Sequence, residues 1–315
     1  MVHFSGVSES LETLCAIELP TGEEVAVHRR RFSGGPGPRI GIVAGVRGDT
    51  PEGTRVAHGV GRHLQTVHAD LAGTVDLYPC VNPLAAHHGA RNWPGFDLDL
   101  NRRFPGRDDG HAPDRVAFTL LAALRECDQV IELRGAHPAF REATQAHVRH
   151  DNPAAIELAM RANVRVLWKR STDIEGTGTL ATQLDGLVCL EGGSGNRLTD
   201  GVGLELGDGV LNLLVVLGVL PENALPFHWA AIQRPTIAEE ADVVRVRATR
   251  GGLFLPSGVV WAEVQAGTVL GEVVDPIAGD TREEVTAPIA GRILAMREQP
   301  VVYPGSLVAR IVAAK

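Results

Sequence analysis

The first two thirds of the chain alternate between short apolar runs and segments with helical spacing. The run Ile42–Ala44 ends in a glycine-rich turn, and Glu52–His68 then carries Val56, Val60 and Leu64 at four-residue spacing, which is typical of a helix. Further strands are predicted at Gly73–Pro79, Asp128–Leu133, Val164–Leu167 and Leu187–Glu191, and further helices at Pro113–Arg125, Asn152–Ala162 and Asp200–Leu217. This alternation predicts an α/β fold with a mainly parallel or mixed central sheet flanked by helices.

The pattern changes after the proline-rich stretch Pro221–Pro235. Residues 243–312 consist of short β-like runs that glycine and proline interrupt, with no helical spacing between them. We therefore predict two domains. Residues 1–235 form the α/β domain with the active-site pocket, and residues 236–315 form a small all-β domain, either a barrel or a sandwich.

Composition narrows the classes of partner. A formal net charge of −8 argues against nucleic-acid binding, which needs a basic face. The most apolar stretch, Val210–Leu220, is too short to span a membrane, and the N-terminus lacks the pattern of a signal peptide. The chain has four isolated cysteines, which we interpret as buried free thiols in the cytoplasm: Cys15, Cys80, Cys127 and Cys189. A homo-oligomer is compatible with these features.

Chemistry is expected first in the stretch GIVAGVRGDTPEG, Gly41–Gly53. A buried strand, a tight turn and a helix start follow one another here, and α/β sheets bind ligands at the carboxyl ends of their strands. A long irregular segment, VNPLAAHHGARNWPGFDLDLNRRFPG, follows the next strand, and a loop of this length is usually functional. Two later strands end in ELRG (Glu132–Gly135) and in LEGGSGNRL (Leu190–Leu198).

Together these segments resemble the succinylglutamate desuccinylase/aspartoacylase family, a branch of the zinc carboxypeptidase superfamily. The first turn is similar to the family's GVHGDEPEG, and the long segment to its NP…R…DGxDLNRxFPG. The resemblance implies a carboxypeptidase-like fold over nearly the whole chain. It also implies an ancestry of amide-bond hydrolases that act on small anionic, amino-acid-like substrates.

The resemblance assigns roles to several residues. Asn101 and Arg102 would grip a substrate carboxylate, with Arg91 nearby, because a guanidinium offers a fork of donors that matches a carboxylate. The alternative is that Arg102 forms a structural ion pair with a neighbouring aspartate. Glu191 falls on the family's catalytic glutamate, which activates the zinc-bound water and then protonates the leaving amine. The alternative is that this strand end, a glutamate followed by two glycines, forms an anion-binding site or a turn.

The three zinc ligands of the family, by contrast, are replaced here by Arg47, Thr50 and Arg134. Catalytic zinc needs about three protein ligands, and arginine has no lone pair to donate. We therefore predict no zinc and no other cofactor. Arg47, Arg134 and Glu191 are the predicted catalytic residues, and Thr50 joins the substrate-binding set.

Two arginines in the place of a dication repel each other unless an anion lies between them. A ligand with a second carboxylate or a phosphate would supply that anion, which predicts a small polyanionic ligand. Alternatively, both arginines pair internally with Glu132, Asp49 or Glu191.

Three functions follow from these predictions. The first is a repurposed, metal-independent enzyme that acts on a small amino-acid-like carboxylate or polycarboxylate, with arginines replacing zinc and Glu191 as acid and base. The second is a non-catalytic, ligand-binding pseudoenzyme. The third is a metal-dependent N-acyl amino acid amidohydrolase with unusual ligands, for which five histidines are candidates: His87, His88, His137, His147 and His150.

Overall fold

The computed structural model describes residues 8–67, 70–171, 178–225 and 234–314. The strands are β1 (Ser8–Glu18), β2 (Glu24–Ser33), β3 (Gly35–Ala44), β4 (Ala72–Tyr78), β5 (Gln129–Gly135), β6 (Phe140–Arg149), β7 (Val166–Arg170), β8 (Val188–Ser194), β9 (Thr236–Ala238), β10 (Val243–Arg247), β11 (Gly252–Pro256), β12 (Glu263–Val264), β13 (Val269–Val274), β14 (Thr281–Thr286), β15 (Gly291–Arg297), β16 (Val301–Val302) and β17 (Leu307–Ala313). The α-helices are α1 (Pro51–Val67), α2 (Pro83–His87), α3 (Ala112–Leu124), α4 (Pro153–Ala159), α5 (Leu180–Gln183) and α6 (Val202–Val216). Short 3₁₀ turns cover Leu100–Arg102, Glu222–Ala224 and Glu240–Asp242.

One large mixed sheet organises the chain. Its strand order is β1-β2-β4-β3-β5-β8-β6-β15-β17-β10, and the central pairs β4·β3, β3·β5 and β5·β8 are parallel. Because parallel strands need crossover connections, helices cover both faces of this centre. The predicted α/β class with a mixed central sheet is confirmed. None of the helices within the described ranges is long and apolar enough to cross a membrane.

Two apolar cores lie on opposite faces of the sheet. On one face, Val56, Val60 and Leu64 of α1 pack with α4 and α6 against Ile42, and the predicted four-residue spacing accounts for this buried stripe. On the other face, α3 packs against strand residues that alternate with those of the first core. These two layers hold the strand ends in fixed positions.

Strand β6 was not predicted from the sequence. It was missed because its buried positions include Glu142, Thr144, Gln145 and His147, which break the apolar pattern of a central strand. Strand β6 pairs antiparallel with β8 and also contacts β7 and β15. The polar residues of β6 therefore lie next to the candidate site.

The C-terminal region is all-β, and part of it continues the large sheet. Strand β15 pairs with β6, and β17 and β10 extend the sheet beyond it, whereas a separate four-stranded sheet has the order β14-β13-β11-β16. A third apolar cluster around Phe254, Leu270 and Ile293 stabilises this region. The boundary at residues 235/236 stays a prediction.

Among the cysteines, all four thiols are free. Cys189 is buried, whereas the other three are only partly buried. The interpretation as buried thiols therefore applies to Cys189 alone.

Candidate active site

The turn between β3 and α1 is built by glycine. Gly45 has a φ of +68°, which favours glycine, and a Cβ at Gly48 would lie 2.1 Å from the carbonyl carbon of Ala85. Proline then occupies the first position of α1, where its missing N–H costs nothing. The turn therefore reverses the chain directly at the end of a central strand.

Arg47 lies in this turn as a half-buried cation. Its Nε atom is buried and has no hydrogen-bond partner, and within the described part of the chain its side chain forms no ion pair. Burial lowers the pKa of Arg47, and the neighbouring cations Arg134 and Arg91 lower it further. A buried donor without a partner is costly, and the Nε of Arg47 is available to an anion.

Thr50 closes the same turn. Its hydroxyl donates to the backbone carbonyl of Arg47 at 3.1 Å, and its side chain is buried. Burial also raises the pKa of Asp49, whose Oδ1 atom is buried without a partner. Thr50 therefore orders the backbone that carries Arg47.

Arg134, at the end of β5, is paired with a carboxylate, unlike Arg47. Its Nε donates to Oε1 of Glu132 at 2.7 Å and its Nη2 to Oε2 at 2.6 Å, which is a bidentate pair. Glu132 is 0% exposed and Arg134 is 6% exposed. The charge of Arg134 is therefore neutralised inside the protein, which is the second of the two arrangements expected from the sequence.

Glu191 lies on β8 directly opposite Arg134 in the parallel register of β5 and β8. On its other side it is opposite Gln145 of β6. Neighbouring strands are separated by about 4.8 Å, and residues paired in register project to the same face. The register therefore places Glu191 and Arg134 side by side at the ends of their strands.

The protonation of Glu191 is tuned to neutral pH. Burial raises its pKa to about 7, and the carboxylate of Glu142 acts in the same direction. Arg134, Arg47 and Arg170 oppose this shift. An acid with a pKa near the working pH can both take up and release a proton, which suits general acid and base chemistry.

Two residues of the predicted substrate-binding segment, Arg91 and Asn101, are engaged in contacts within the protein. The Nη2 atom of Arg91 lies 2.8 Å from Asp99, and Asn101 is buried with its side-chain oxygen accepting from the backbone N–H of Leu180 at 3.1 Å. Arg102 is exposed on its 3₁₀ turn. Asp99 thus pairs with Arg91, and Asn101 helps to fix the loop.

The five candidate histidines do not converge. His87 and His88 are exposed and contact only each other's rings at 5.2 Å, and the Nδ1 atom of His137 accepts from the backbone of Ala139. His147 is buried against Trp168, and burial, followed by Arg170, lowers its pKa well below the usual value. His150 is exposed.

The residues at positions 47, 50 and 134 lack the donors that zinc needs. Arginine has no lone pair, Arg134 is occupied by Glu132, and the Thr50 hydroxyl is engaged with the backbone. Across the described ranges, no group of three or more His, Cys, Asp or Glu residues could hold a metal ion. The donor set at Arg47, Thr50 and Arg134 does not fit zinc.

Similarity to solved structures defines the class of fold. The ectoine utilization protein EutE (DoeB) from Ruegeria pomeroyi is 21% identical with a TM-score of 0.82, and the match covers 98% of this chain and 96% of that one. A succinylglutamate desuccinylase/aspartoacylase from Rhodobacter sphaeroides is 21% identical with a TM-score of 0.81, and covers 98% and 96%. The carboxypeptidase-like fold expected from the resemblance is confirmed over nearly the whole chain.

Sequence comparison finds a family model over part of the chain. Residues 36–139 are similar to the succinylglutamate desuccinylase/aspartoacylase catalytic domain. An N-alpha-acetyl-L-2,4-diaminobutyric acid deacetylase from Halomonas elongata is 30% identical over 97 residues. That alignment covers 31% of this chain and 28% of the relative.

Proposed function

We propose that this chain is a metal-independent enzyme that acts on a small amino-acid-like carboxylate, with Glu191 as the acid and base and Arg47 in place of zinc. The observation that carries the proposal is the contrast between the two arginines. Arg134 is neutralised by Glu132, whereas Arg47 keeps a buried Nε without a partner. Within the described ranges, the contrast leaves Arg47 as the cation open to a ligand, and the ligand needs one anionic group there.

Acyl transfer is the reaction class that suits these two groups. The Glu191 carboxylate removes a proton from a water molecule as its oxygen attacks the acyl carbon, and the negative charge that develops on the acyl oxygen faces Arg47. When the bond to the leaving group breaks, the protonated Glu191 returns the proton to that group. The pKa of Glu191 near 7 permits both transfers at neutral pH.

The expected rate enhancement also constrains the substrate. A general base contributes about 10²–10⁴-fold, and one donor to a developing oxyanion contributes about 10²–10³-fold. Their product, about 10⁴–10⁷-fold, lies at the low end of enzymatic rate enhancements. We therefore expect slow turnover of an amide and faster turnover of an acyl group with a better leaving group, such as an ester.

The test uses protein that is purified without a metal-affinity tag and assayed with a chelator present. N-acetylated amino acids, including the acetyl-diaminobutyrate named for the Halomonas relative, and their ester analogues are the substrates, and acetate release is the measurement. Glu191→Gln is expected to abolish turnover and to retain binding, and Arg47→Met to lose both. Arg107→Met, at an exposed site, is the matched control. Turnover in Glu191→Gln equal to that of the wild type would refute the assignment.

A second candidate function is non-catalytic binding. It is supported by the internal pairing of Arg134 with Glu132, because a site retained only for binding does not need a second free cation. Under this alternative, N-acetylated amino acids would bind in an Arg47-dependent manner and no product would form with any of them.

A further inference from the structure

A β-bulge on β6 arranges polar residues beside Glu191. In a regular strand, Glu142 and Gln145 would project to opposite faces because three positions separate them. The pairing of β6 with β8 shifts register between these two residues, and an extra residue in the strand places both on one face. Nε2 of Gln145 then donates to Oε2 of Glu142 at 2.7 Å.

The second carboxylate oxygen of Glu142 is bonded from the other end of the chain. Nη1 of Arg310, on β17, donates to Oε1 of Glu142 at 3.1 Å. In the sheet register, Arg310 is opposite Ala295 of β15, and Ala295 is opposite Glu142. Because Ala295 is small, the Arg310 side chain can extend over it to the strand beyond.

We propose that Arg310 and Glu142 are positioning residues for Glu191, so that the C-terminal strand completes the catalytic site. Glu142 is 3% exposed, and its two oxygens are occupied by Gln145 and Arg310. The carboxylate is thereby fixed next to the register partner of Glu191. This inference rests on the proposed role of Glu191 as acid and base.

The charges around Glu191 explain why this arrangement matters. Arg134 of β5, Arg47 of the first turn and Arg170 of β7 favour its ionised form, whereas the fixed carboxylate of Glu142 opposes ionisation. His147 of β6 is buried, and its lowered pKa keeps it neutral. Burial is the main cause of the raised pKa of Glu191, and Glu142 adds to it, so removing Glu142 would lower the pKa and leave less of the protonated form at neutral pH.

The test measures the protonation of Glu191 without any substrate. Protein with ¹³C-labelled glutamate carboxyl carbons is titrated by NMR, and the Glu191 signal is assigned by its loss in Glu191→Gln. In the wild type the midpoint is expected near pH 7. Glu142→Gln is expected to lower the midpoint by about one pH unit or more, because a like charge at close range is removed.

Arg310→Met should move the midpoint in the opposite direction. It removes the cation that partly offsets the Glu142 carboxylate, so Glu191 should bind its proton at a higher pH than in the wild type. Arg297→Met is the matched control. The guanidinium carbon of Arg297 lies 5.7 Å from the centre of the Phe140 ring, and that of Arg310 lies 5.6 Å from it. Arg297, however, donates to Gln299 and to backbone carbonyls and not to Glu142. It should leave the midpoint unchanged.

Opposite shifts in Glu142→Gln and Arg310→Met, with none in Arg297→Met, would support the proposal. Shifts of both variants toward the ordinary glutamate value would indicate that they merely open the site to solvent, and no shift in either would mean that Glu142 does not act on Glu191. Either result would overturn the proposal. If Arg310→Met does not fold, the double variant Glu142→Gln/Arg310→Met replaces it, with a midpoint expected close to that of Glu142→Gln. The titration needs no turnover, so failure of the proposed function would be seen separately.

Discussion

Replacing Arg47 by methionine is expected to stabilise the protein while it removes ligand binding. Methionine has a similar length and no charge, so it fills the space next to the β3–α1 turn without the buried donor that Arg47 leaves unpaired. A structural arginine would behave in the opposite way. The sign of the stability change therefore separates a cation kept for a ligand from one kept for the fold.

The magnitude follows from the contacts. An unsatisfied buried donor costs about 1–3 kcal/mol, and the Arg47 variant also loses the repulsion from Arg134 and Arg91 but forgoes the attraction of Glu191. We expect a net gain of about 1–3 kcal/mol. Since 1 kcal/mol corresponds to about 2–4 °C in domains of about 150–250 residues, the melting temperature should rise by up to about 12 °C.

Urea and thermal unfolding measure this change, with and without an added N-acetylated amino acid. A ligand at 100 times its Kd should stabilise the wild type by about 2.7 kcal/mol and leave Arg47→Met unaffected. Arg107→Met, in an exposed ion pair, should show no measurable change. A loss of stability in Arg47→Met of more than about 1 kcal/mol would place Arg47 in a structural network and refute the reasoning.

Three further predictions follow from the same site. Arg134→Met should destabilise the fold by about 3–5 kcal/mol in urea unfolding, because it leaves Glu132 buried and unpaired. Adding Glu132→Leu to the same chain should recover most of that loss. Additive losses in the double variant would contradict the pairing. Because the pKa of Glu191 is raised in the folded protein, the folded state binds more protons than the unfolded state between pH 4.5 and 7. Stability should therefore fall as pH rises through that window, and Glu191→Gln should flatten the slope; an unchanged slope would argue against the raised pKa. Introducing the zinc ligands that the resemblance assigns to these positions, with Arg47→His, Thr50→Glu and Arg134→His, should produce one equivalent of zinc binding in equilibrium dialysis. No gain over the wild type would contradict the assignment of these positions.

The parts of the fold with regular apolar periodicity could be predicted from the sequence. The stripe of α1 and the buried runs of β3 and β5 follow spacing rules that local sequence obeys. Strand β6 could not be found in this way, because its buried polar residues gain their partners from β7, β17 and α6 and from within the bulge. Its polarity indicates a site rather than a loop, but only after the neighbouring strands are known.

The membership of the site stays a prediction, and the pairing of its residues could not be found from the sequence. Sequence placed Arg47, Arg134 and Glu191 together through the motif positions, and the register of β5 and β8 agrees with this for the last two. Whether an arginine is paired with a carboxylate depends on side-chain contacts that the motif does not specify. Arg134, for example, is paired with Glu132, which lies two positions earlier on the same strand. We therefore propose a single anionic group at Arg47 in place of the expected polyanion.

The C-terminal region shows the limit of sequence spacing more clearly. Arg310 lies 168 positions from Glu142, and nothing in the local pattern connects them. Their contact arises because β15 joins the large sheet at β6 and brings β17 within reach. A residue that acts through a sheet register of this kind can only be identified from the fold.

Metal content tests the central claim, that Arg47 occupies the place of zinc, most directly. Protein purified without a metal-affinity tag and dialysed against a chelator would be measured by elemental analysis alongside its acyl-transfer activity. We predict well under one equivalent of any transition metal, with activity unchanged by the chelator and lost in Arg47→Met. One equivalent of zinc that survives dialysis and is required for turnover would contradict the account and indicate ligands other than Arg47, Thr50 and Arg134.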